Sequence, residues 1–145
     1  MSVMERGEIS VIFAGYSEPM KRVISSNEGF RGRVKFFDFN DFSSEKIAQI
    51  VHLKMSKQAE ESPIYGFKLH PYCSVDVITK LIAIETTEEQ RKIMNGDLAD
   101  QMLVNARENM VLLACVTVEA DDLLTITLKY LERGHRSLNM VTSRQ

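Results

Sequence analysis

The sequence predicts a short α/β segment followed by a longer all-helical unit, so that the chain is mainly α overall. Residues 8–16 form an apolar, β-branched run that ends in Ala-Gly-Tyr, as expected of a strand covered on both faces. Residues 34–39 are rich in aromatic side chains and have the length of a second strand. From about residue 43 onward, apolar residues recur at intervals of three or four, which is the period of an amphipathic helix.

The composition is that of an ordinary globular protein. Of the 145 residues, 44% are hydrophobic and 26% are charged, and the formal net charge is −2. No apolar run approaches the ~20 residues needed to cross a bilayer, and residues 1–8 lack the features of a signal or transit peptide. We therefore expect a cytoplasmic protein that has neither nucleic acid nor a membrane as its partner.

The cysteines do not suggest a disulfide framework, because Cys73 and Cys115 are only two and lie far apart. His70 and Cys73 have the spacing of a pair of metal ligands. Without a second pair we interpret them as structural residues, and no metal site is predicted.

The segment between the two predicted strands holds a helix and a loop. Ser17 can cap a short helix that has Pro19 in its first turn and runs to about Ile24. The string Ser-Ser-Asn-Glu-Gly at residues 25–29 then breaks the helix. The loop delivers Phe-Arg-Gly-Arg, residues 30–33, directly into the second strand.

Several helices are predicted after the second strand. Ser43 caps the first, which runs to about residue 60, and Ser74 opens the next. Residues 86–89 restart the helical pattern as a shorter turn, and Asn95 caps the longest helix. Residues 125–128 look like a short extended piece ahead of a last helical turn. The side chains predicted to form buried stripes are Ile47, Ile50, Val51, Met55, Val77, Ile78, Leu81, Ile82, Ile84, Leu98, Met102, Ala106, Met110 and Leu113.

Two strings near the start of the chain carry a family resemblance. Residues 11–16 read Val-Ile-Phe-Ala-Gly-Tyr, and residues 26–33 read Ser-Asn-Glu-Gly-Phe-Arg-Gly-Arg. With Glu-Pro-Met at residues 18–20 between them, they resemble the CbbX-like, also called CfxQ-like, group of AAA+ ATPases. The sequence is most similar to the plant-type members, in which ankyrin repeats precede the ATPase module.

The resemblance implies a division of the chain. Residues 1–39 would hold the C-terminal part of the AAA+ α/β core, in the order sensor-1 strand, arginine-finger loop and last strand of the sheet. Residues 40–133 would form the helical lid domain, and residues 134–145 a flexible tail. Since the P-loop strand that separates those two strands in the family is missing, we expect residues 40–131 to be the stable unit. The first 39 residues would be ordered only by packing on it or on another copy.

The resemblance also implies roles for three residues. Arg33 matches the arginine finger, which reaches across a subunit boundary to the γ-phosphate bound next door, and Arg31 is its companion. Tyr16 stands in the sensor-1 region, where a polar group orients the attacking water. The alternatives are that both arginines are solvated loop charges and that Tyr16 only packs against the following helix.

The sequence departs from the family in two places. Relatives carry Asn-Ala-Arg where this chain has Asn95-Gly96-Asp97, and a carboxylate cannot donate to a phosphate as the sensor-2 arginine does. The chain also contains neither Gly-x-x-x-x-Gly-Lys-Ser/Thr nor an apolar strand ending in Asp-Glu. We therefore expect no ATP or Mg²⁺ to be bound in cis, and no hydrolysis by this chain alone.

Three functional hypotheses follow. The first is a C-terminal fragment of an AAA+ ATPase, which supplies Arg33 and a lid to an ATP-driven ring that remodels a protein substrate. The ring would be homo-oligomeric, a hexamer in the family, with ATP and Mg²⁺ bound in the full-length context. The alternative is a non-enzymatic module that docks on complete AAA+ subunits and regulates them. The third is a helical domain retained for assembly alone.

Overall fold

The computed structural model describes residues 10–30, 32–117 and 124–142, with the side chains of residues 114–117 and 137–142 left out. The chain divides into two compact units, Met1–Asn40 and Asp41–Gln145. Six α-helices and two short strands lie in the part of the chain that the structure describes. The prediction of a mainly α fold with a minor sheet is confirmed.

The first unit is built around helix α1, Ser17–Ser25, and a single 3₁₀ turn, Glu28–Phe30. The residue before the helix is Tyr16, and Ser17 does not cap it; the Ser17 hydroxyl donates instead to Asp38 Oδ1 at 2.7 Å. Lys21 lies 3.8 Å from the same carboxylate, so Asp38 ties the end of this unit back to α1.

The two segments expected to be strands have no strand assignment where the structure describes them. Residues 10–14 and 34–40 are irregular chain, and neither has a ladder partner within the described residues. The physical reason is that a strand is defined by its hydrogen-bonded neighbour, so an apolar pattern without a paired edge yields no sheet.

Large apolar side chains are exposed in this first unit. The exposed group comprises Val11, Ile12, Phe13, Tyr16, Val23, Phe36, Phe37 and Phe39. Phe39 is 98% exposed, and Ile24 is the only buried residue of the unit among those described. Large apolar side chains exposed in this number are available for contact with a partner.

The second unit contains the other helices and the sheet. Its elements are α2 Ser44–Ser56, β1 Lys68–Leu69, α3 Val75–Glu85, α4 Glu88–Met94, α5 Asp97–Thr117, β2 Thr125–Ile126 and α6 Leu128–Thr142. Helices α5 and α6 share the most extensive contact, followed by α2 and α3. None of the helices described is long and apolar enough to cross a membrane.

Three of the helix starts are fixed by local side-chain caps. Ser43 accepts a hydrogen bond from Lys46 N, and Ser74 accepts one from Val77 N, as the sequence predicts. Thr87 and Gln90 form a reciprocal capping box that starts α4. Each cap satisfies backbone donors that the helix itself leaves unpaired.

The sheet is a single parallel pairing of β1 with β2, in which Lys68 lies opposite Thr125 and Leu69 opposite Ile126. His70 N extends the pairing by donating to Ile126 O at 2.9 Å. The extended piece predicted at the start of residues 125–128 is therefore present. Its partner β1 lies between the helices predicted to end near residue 60 and to begin at Ser74, where the sequence predicts no strand.

The buried core lies in the second unit and includes most of the predicted stripes. Its fully buried members include Ile47, Val51, Ile78, Ile82, Leu98, Met102, Ala106, Ile126 and Leu131. Two predicted core residues are exposed instead, Ile84 by 79% and Leu113 by 38%. Helical spacing identifies the correct face, but it does not say how far along the helix a neighbour covers that face.

The last helix extends into residues 134–145, for which a flexible tail is predicted. Helix α6 continues to Thr142, and both Gly134 and His135 are buried within it. Asn105 Nδ2 donates to Gly134 O at 3.0 Å. A β-carbon on Gly134 would lie 2.7 Å from Ala106 N, so the backbones of α5 and α6 meet at this glycine.

Candidate functional site

The loop that carries Arg33 is a tight turn whose backbone is held by local hydrogen bonds. Gly29 N donates to Asn27 Oδ1 at 3.0 Å, and Phe30 N donates to Asn27 O at 3.1 Å. Arg33 N then donates to Phe30 O at 3.1 Å. Gly32 has φ of +78°, a conformation that glycine adopts without strain. The turn therefore fixes the backbone of Arg33 and leaves the residue exposed.

The companion Arg31 lies outside the described residues. Nothing tests the finger role of Arg33, the companion role of Arg31 or the sensor role of Tyr16, and all three stay predictions. Tyr16 is 87% exposed, and its carbonyl accepts a hydrogen bond from Met20 N at 3.0 Å. Its backbone is thus part of the start of α1 while its ring faces solvent.

A cavity of about 450 Å³ opens beside the arginine turn. Its walls are mostly apolar, and Lys21 and Ser25 are the polar side chains among the lining residues. It is lined by Lys21, Ile24, Ser25, Phe30, Gly32, Val34 and Phe36. Phe30 also packs edge to face on Phe13, with 5.9 Å between the ring centroids. Lys21 places a positive charge next to the loop, although Asp38 partly offsets it.

The turn between α4 and α5 is arranged differently from the prediction. Asn95 ends α4 with φ of +48° and ψ of −121°, and its side chain bonds to residues that precede α2. Its Oδ1 accepts from Phe42 N, and its Nδ2 donates to Asp41 Oδ1, both at 2.8 Å. Asp97 is exposed in the first turn of α5, where a negative charge favours the positive end of the helix.

The string Asn105-Ala106-Arg107 has structural partners. Ala106 is fully buried at the crossing with α6, and Asn105 bonds to Gly134 O. Arg107 Nη1 donates to Pro63 O at 2.9 Å, which anchors the connection between α2 and β1. Arg107 therefore holds the loop that contains Pro63 in place.

His70 and Cys73 form a local structural motif at the end of β1. Cys73 N donates to His70 O at 2.8 Å, and the His70 ring stacks on Tyr72 with 5.1 Å between centroids. His52 Nε2 lies 2.7 Å from Cys73 O. Burial raises the pKa of the Cys73 thiol, which makes it a poorer nucleophile and a poorer ligand. No cluster of three or more metal-ligating side chains occurs among the residues described.

His135 is a buried titratable residue that the sequence did not indicate. It is 1% exposed, and neither ring nitrogen has a hydrogen-bond partner among the residues that the structure describes. Burial lowers its pKa, while the nearby Glu85 carboxylate acts in the opposite direction. A lone histidine in a polar stretch gives no sequence signal of burial, so only the packing of α6 reveals it.

The fold and the loop define a mainly α-helical protein with a small parallel sheet, preceded by a unit that carries an exposed arginine on a constrained turn. The chain belongs to the family described as "Domain of unknown function (DUF8495)", which matches residues 41–139. The match covers most of the helical unit.

The chain is also similar to curated proteins named "Protein CfxQ homolog". It is 28% identical over 142 residues to that of Pyropia yezoensis, which covers 86% of this chain and 43% of the relative. It is 29% identical over 137 residues to that of Galdieria sulphuraria, covering 88% and 44%. A third, from Trieres chinensis, is 36% identical over 61 residues, covering 40% and 21%.

These similarities confirm the predicted relationship to the CfxQ-like family. The chain spans less than half the length of the curated relatives it matches. No solved structure matches it.

Proposed function

We propose that this chain acts as the C-terminal part of a CbbX-like AAA+ ATPase, which supplies an arginine finger and a helical lid to an ATP-driven protein-remodelling ring. The observation that carries the proposal is the exposed Arg33 on a hydrogen-bonded turn, in a chain related to CfxQ homologs. ATP and Mg²⁺ would be bound by neighbouring subunits of the ring.

The geometry of the turn supports a finger for a physical reason. An arginine that stabilises transferring phosphate must reach out from a backbone that does not move, because its planar guanidinium has to follow the phosphate oxygens in one orientation. Gly32 and the Arg33 N to Phe30 O bond provide such a backbone. Fingers of this kind raise the rate by about 10³ to 10⁵, which is roughly 4 to 7 kcal/mol of activation free energy. An exposed ion pair contributes at most about 1 kcal/mol to stability.

A role in trans is what the finger assignment of Arg33 means, because an arginine finger acts on the nucleotide of a neighbouring subunit. The 145 residues themselves include no Gly-x-x-x-x-Gly-Lys-Ser/Thr string. Asp97 stands where relatives have a lid arginine, and its carboxylate would repel phosphate. In this proposal the chain contributes to catalysis only across a subunit boundary.

A second candidate is a non-enzymatic module that docks on complete AAA+ subunits and regulates them. The exposed apolar side chains of the first unit favour it, notably Ile12, Phe37 and Phe39. A surface of this kind gains free energy when a partner covers it, at roughly 25 cal/mol per Å² of apolar area. Docking through this surface needs no arginine.

One experiment separates the two candidates. The chain is added to the complete CfxQ homolog of Pyropia yezoensis, and ATP turnover is measured with the wild-type chain, Arg33→Ala and Arg33→Lys. Arg22→Ala is the matched control, since Arg22 is an exposed arginine on α1 of the same unit. The finger proposal expects a change in turnover that is lost in Arg33→Ala, is not restored by lysine and persists in Arg22→Ala.

The other outcomes are equally informative. Inhibition that is the same for all four proteins would support the docking module and contradict the finger. The chain is added both in excess over the complete subunits and in deficit. If ATP turnover is unchanged at both ratios, both candidates are wrong. Co-sedimentation with the homolog, measured in the same samples, distinguishes a failure to bind from binding without effect.

A further inference from the structure

The turn between α4 and α5 contains Asn95 followed by Gly96, and Asn95 is the only asparagine in the sequence with a glycine after it. It is also the only non-glycine residue with positive φ among those the structure describes. A backbone of this type costs free energy for any residue with a side chain, so the surrounding contacts must hold it in place.

The observed ψ has a direct chemical meaning. Because the substituents on a tetrahedral Cα are about 120° apart, ψ of −121° brings Gly96 N nearly into line with Asn95 Cβ, viewed along the Cα–C bond. The five atoms Cα, Cβ, Cγ, C and Gly96 N make up the ring of a succinimide. Helical and extended backbones hold the following nitrogen away from Cβ and must first rotate to close this ring. Asn95 already has the required ψ.

The side chain of Asn95 is held by two hydrogen bonds, and both would affect the closure of the succinimide ring. Phe42 N donates to Oδ1 at 2.8 Å, and it would stabilise the negative charge that develops there when a nucleophile adds to Cγ. Nδ2, the leaving nitrogen, donates to Asp41 Oδ1 at 2.8 Å. Crowding at the attacking residue is low, because Gly96 has no β-carbon.

We propose that Asn95 is a site of spontaneous deamidation, and that the folded structure accelerates the reaction. Gly96 N gives up its proton and bonds to Asn95 Cγ, and the Cγ–Nδ2 bond breaks so that ammonia leaves. Water then adds to either carbonyl of the succinimide and opens it to aspartate or to isoaspartate. One water is consumed, one ammonia is released, and nothing is oxidised or reduced.

The modification has a defined structural consequence. A carboxylate at position 95 no longer donates to Asp41, and it places a second negative charge at hydrogen-bond distance from the first. The isoaspartate product additionally routes the backbone through the side chain and lengthens the turn by one carbon. The bonds that join Asp41 and Phe42 to the α4–α5 turn are therefore weakened, which frees the first residues of the helical unit.

The test follows conversion of the purified chain in mildly alkaline buffer at physiological temperature. Peptide mapping reads the mass gain of amide-to-acid exchange, and an isoaspartyl methyltransferase reads the isoaspartate. We expect conversion at Asn95 to be on the order of tenfold faster in the folded chain than in the same chain in urea, because the backbone torsion is already set. Asn105 and Asn109, which lie inside α5, serve as internal controls and should stay unconverted.

Gly96→Ala is the matched variant. A β-carbon there lies 3.5 Å from Phe42 Cε2, an ordinary contact, and Gly96 does not have positive φ, so the variant is expected to fold, which circular dichroism checks. Conversion should slow by more than about tenfold, since the added methyl crowds the attacking nitrogen. Conversion of Asn95 that is equal or slower in the folded chain than in urea overturns the proposal.

A second variant tests the consequence. Asn95→Asp mimics one product, and it should lower the thermal midpoint of the chain at neutral pH. Asp41→Asn introduced with it should restore part of the loss, because an amide at position 41 again donates to the carboxylate. An unchanged midpoint in Asn95→Asp would show that modification does not release the turn.

Discussion

Replacing Gly134 by alanine is a sharp test of how the helical unit is packed. Alanine in place of glycine inside a helix ordinarily stabilises it by about 0.5–1 kcal/mol, because glycine loses more backbone entropy on folding. At Gly134 the added β-carbon would lie 2.7 Å from Ala106 N and 3.0 Å from the carbonyl carbon of Asn105. These are backbone atoms of α5, which cannot rotate out of the way.

The two helices must therefore separate where they pack most closely. Overpacking of this kind costs about 1–3 kcal/mol, and stretching the Asn105–Gly134 hydrogen bond adds about 0.5–1.5 kcal/mol. After the gain in helix propensity is subtracted, we expect Gly134→Ala to lower the free energy of unfolding by about 0.5–4 kcal/mol. That corresponds to about 4–8 °C in Tm for each kcal/mol in a domain of this size.

Urea and thermal unfolding, followed by circular dichroism, measure the effect. Lys129→Ala is the control, because Lys129 is exposed on the same helix and its replacement should change stability by less than about 0.5 kcal/mol. A Gly134→Ala protein as stable as the wild type, or more stable, would refute the close approach of α5 and α6 at this point.

Three further predictions concern buried or capping residues. Since burial lowers the pKa of His135 from its ordinary value of 6.5, the unfolded chain binds the proton more readily, so stability should hold above that pH and fall below it. The urea midpoint of His135→Leu should fall less than that of the wild type as the pH is lowered. An equal fall in both proteins would contradict the prediction. Ser74→Ala should cost about 1 kcal/mol of unfolding free energy, because Val77 N loses its cap, and an unchanged urea midpoint would count against it. Since burial raises the pKa of the Cys73 thiol, an alkylating reagent should modify the Cys73 peptide far more slowly in the folded chain than in urea, with comparable rates as the opposing result.

Much of the helical unit could be predicted from the sequence because its signals are local. Ser43 and Ser74 each bond to a backbone N–H only three residues ahead, so the cap and the helix it starts are contained in one short string. The buried stripe of α5 is likewise set by a spacing of three or four residues. The arginine turn belongs to the same class, since its bonds span residues 27–33.

The features that could not be predicted depend on contacts between distant residues. Asn95 has the sequence context of an ordinary helix cap, yet its side chain bonds to residues 53 and 54 positions away, and its backbone has a positive φ. The strand predicted at residues 34–39 is not formed, and the reason is the converse one. Its composition is typical of a strand, but no neighbouring edge pairs with it in the described residues.

From the order of the residues alone one can place the starts of α2, α3 and α4 and identify most of the apolar faces of the helices. Three features emerge only from the folded chain: Lys68–Leu69 pairs with Thr125–Ile126, α6 buries Gly134 and His135, and Asn95 has a ψ suited to ring closure. The physical reason is the range of the interactions. Helix caps and amphipathic periods are satisfied within one or two turns of chain, whereas burial and pairing depend on which distant segment packs against a residue once the chain has closed its loops.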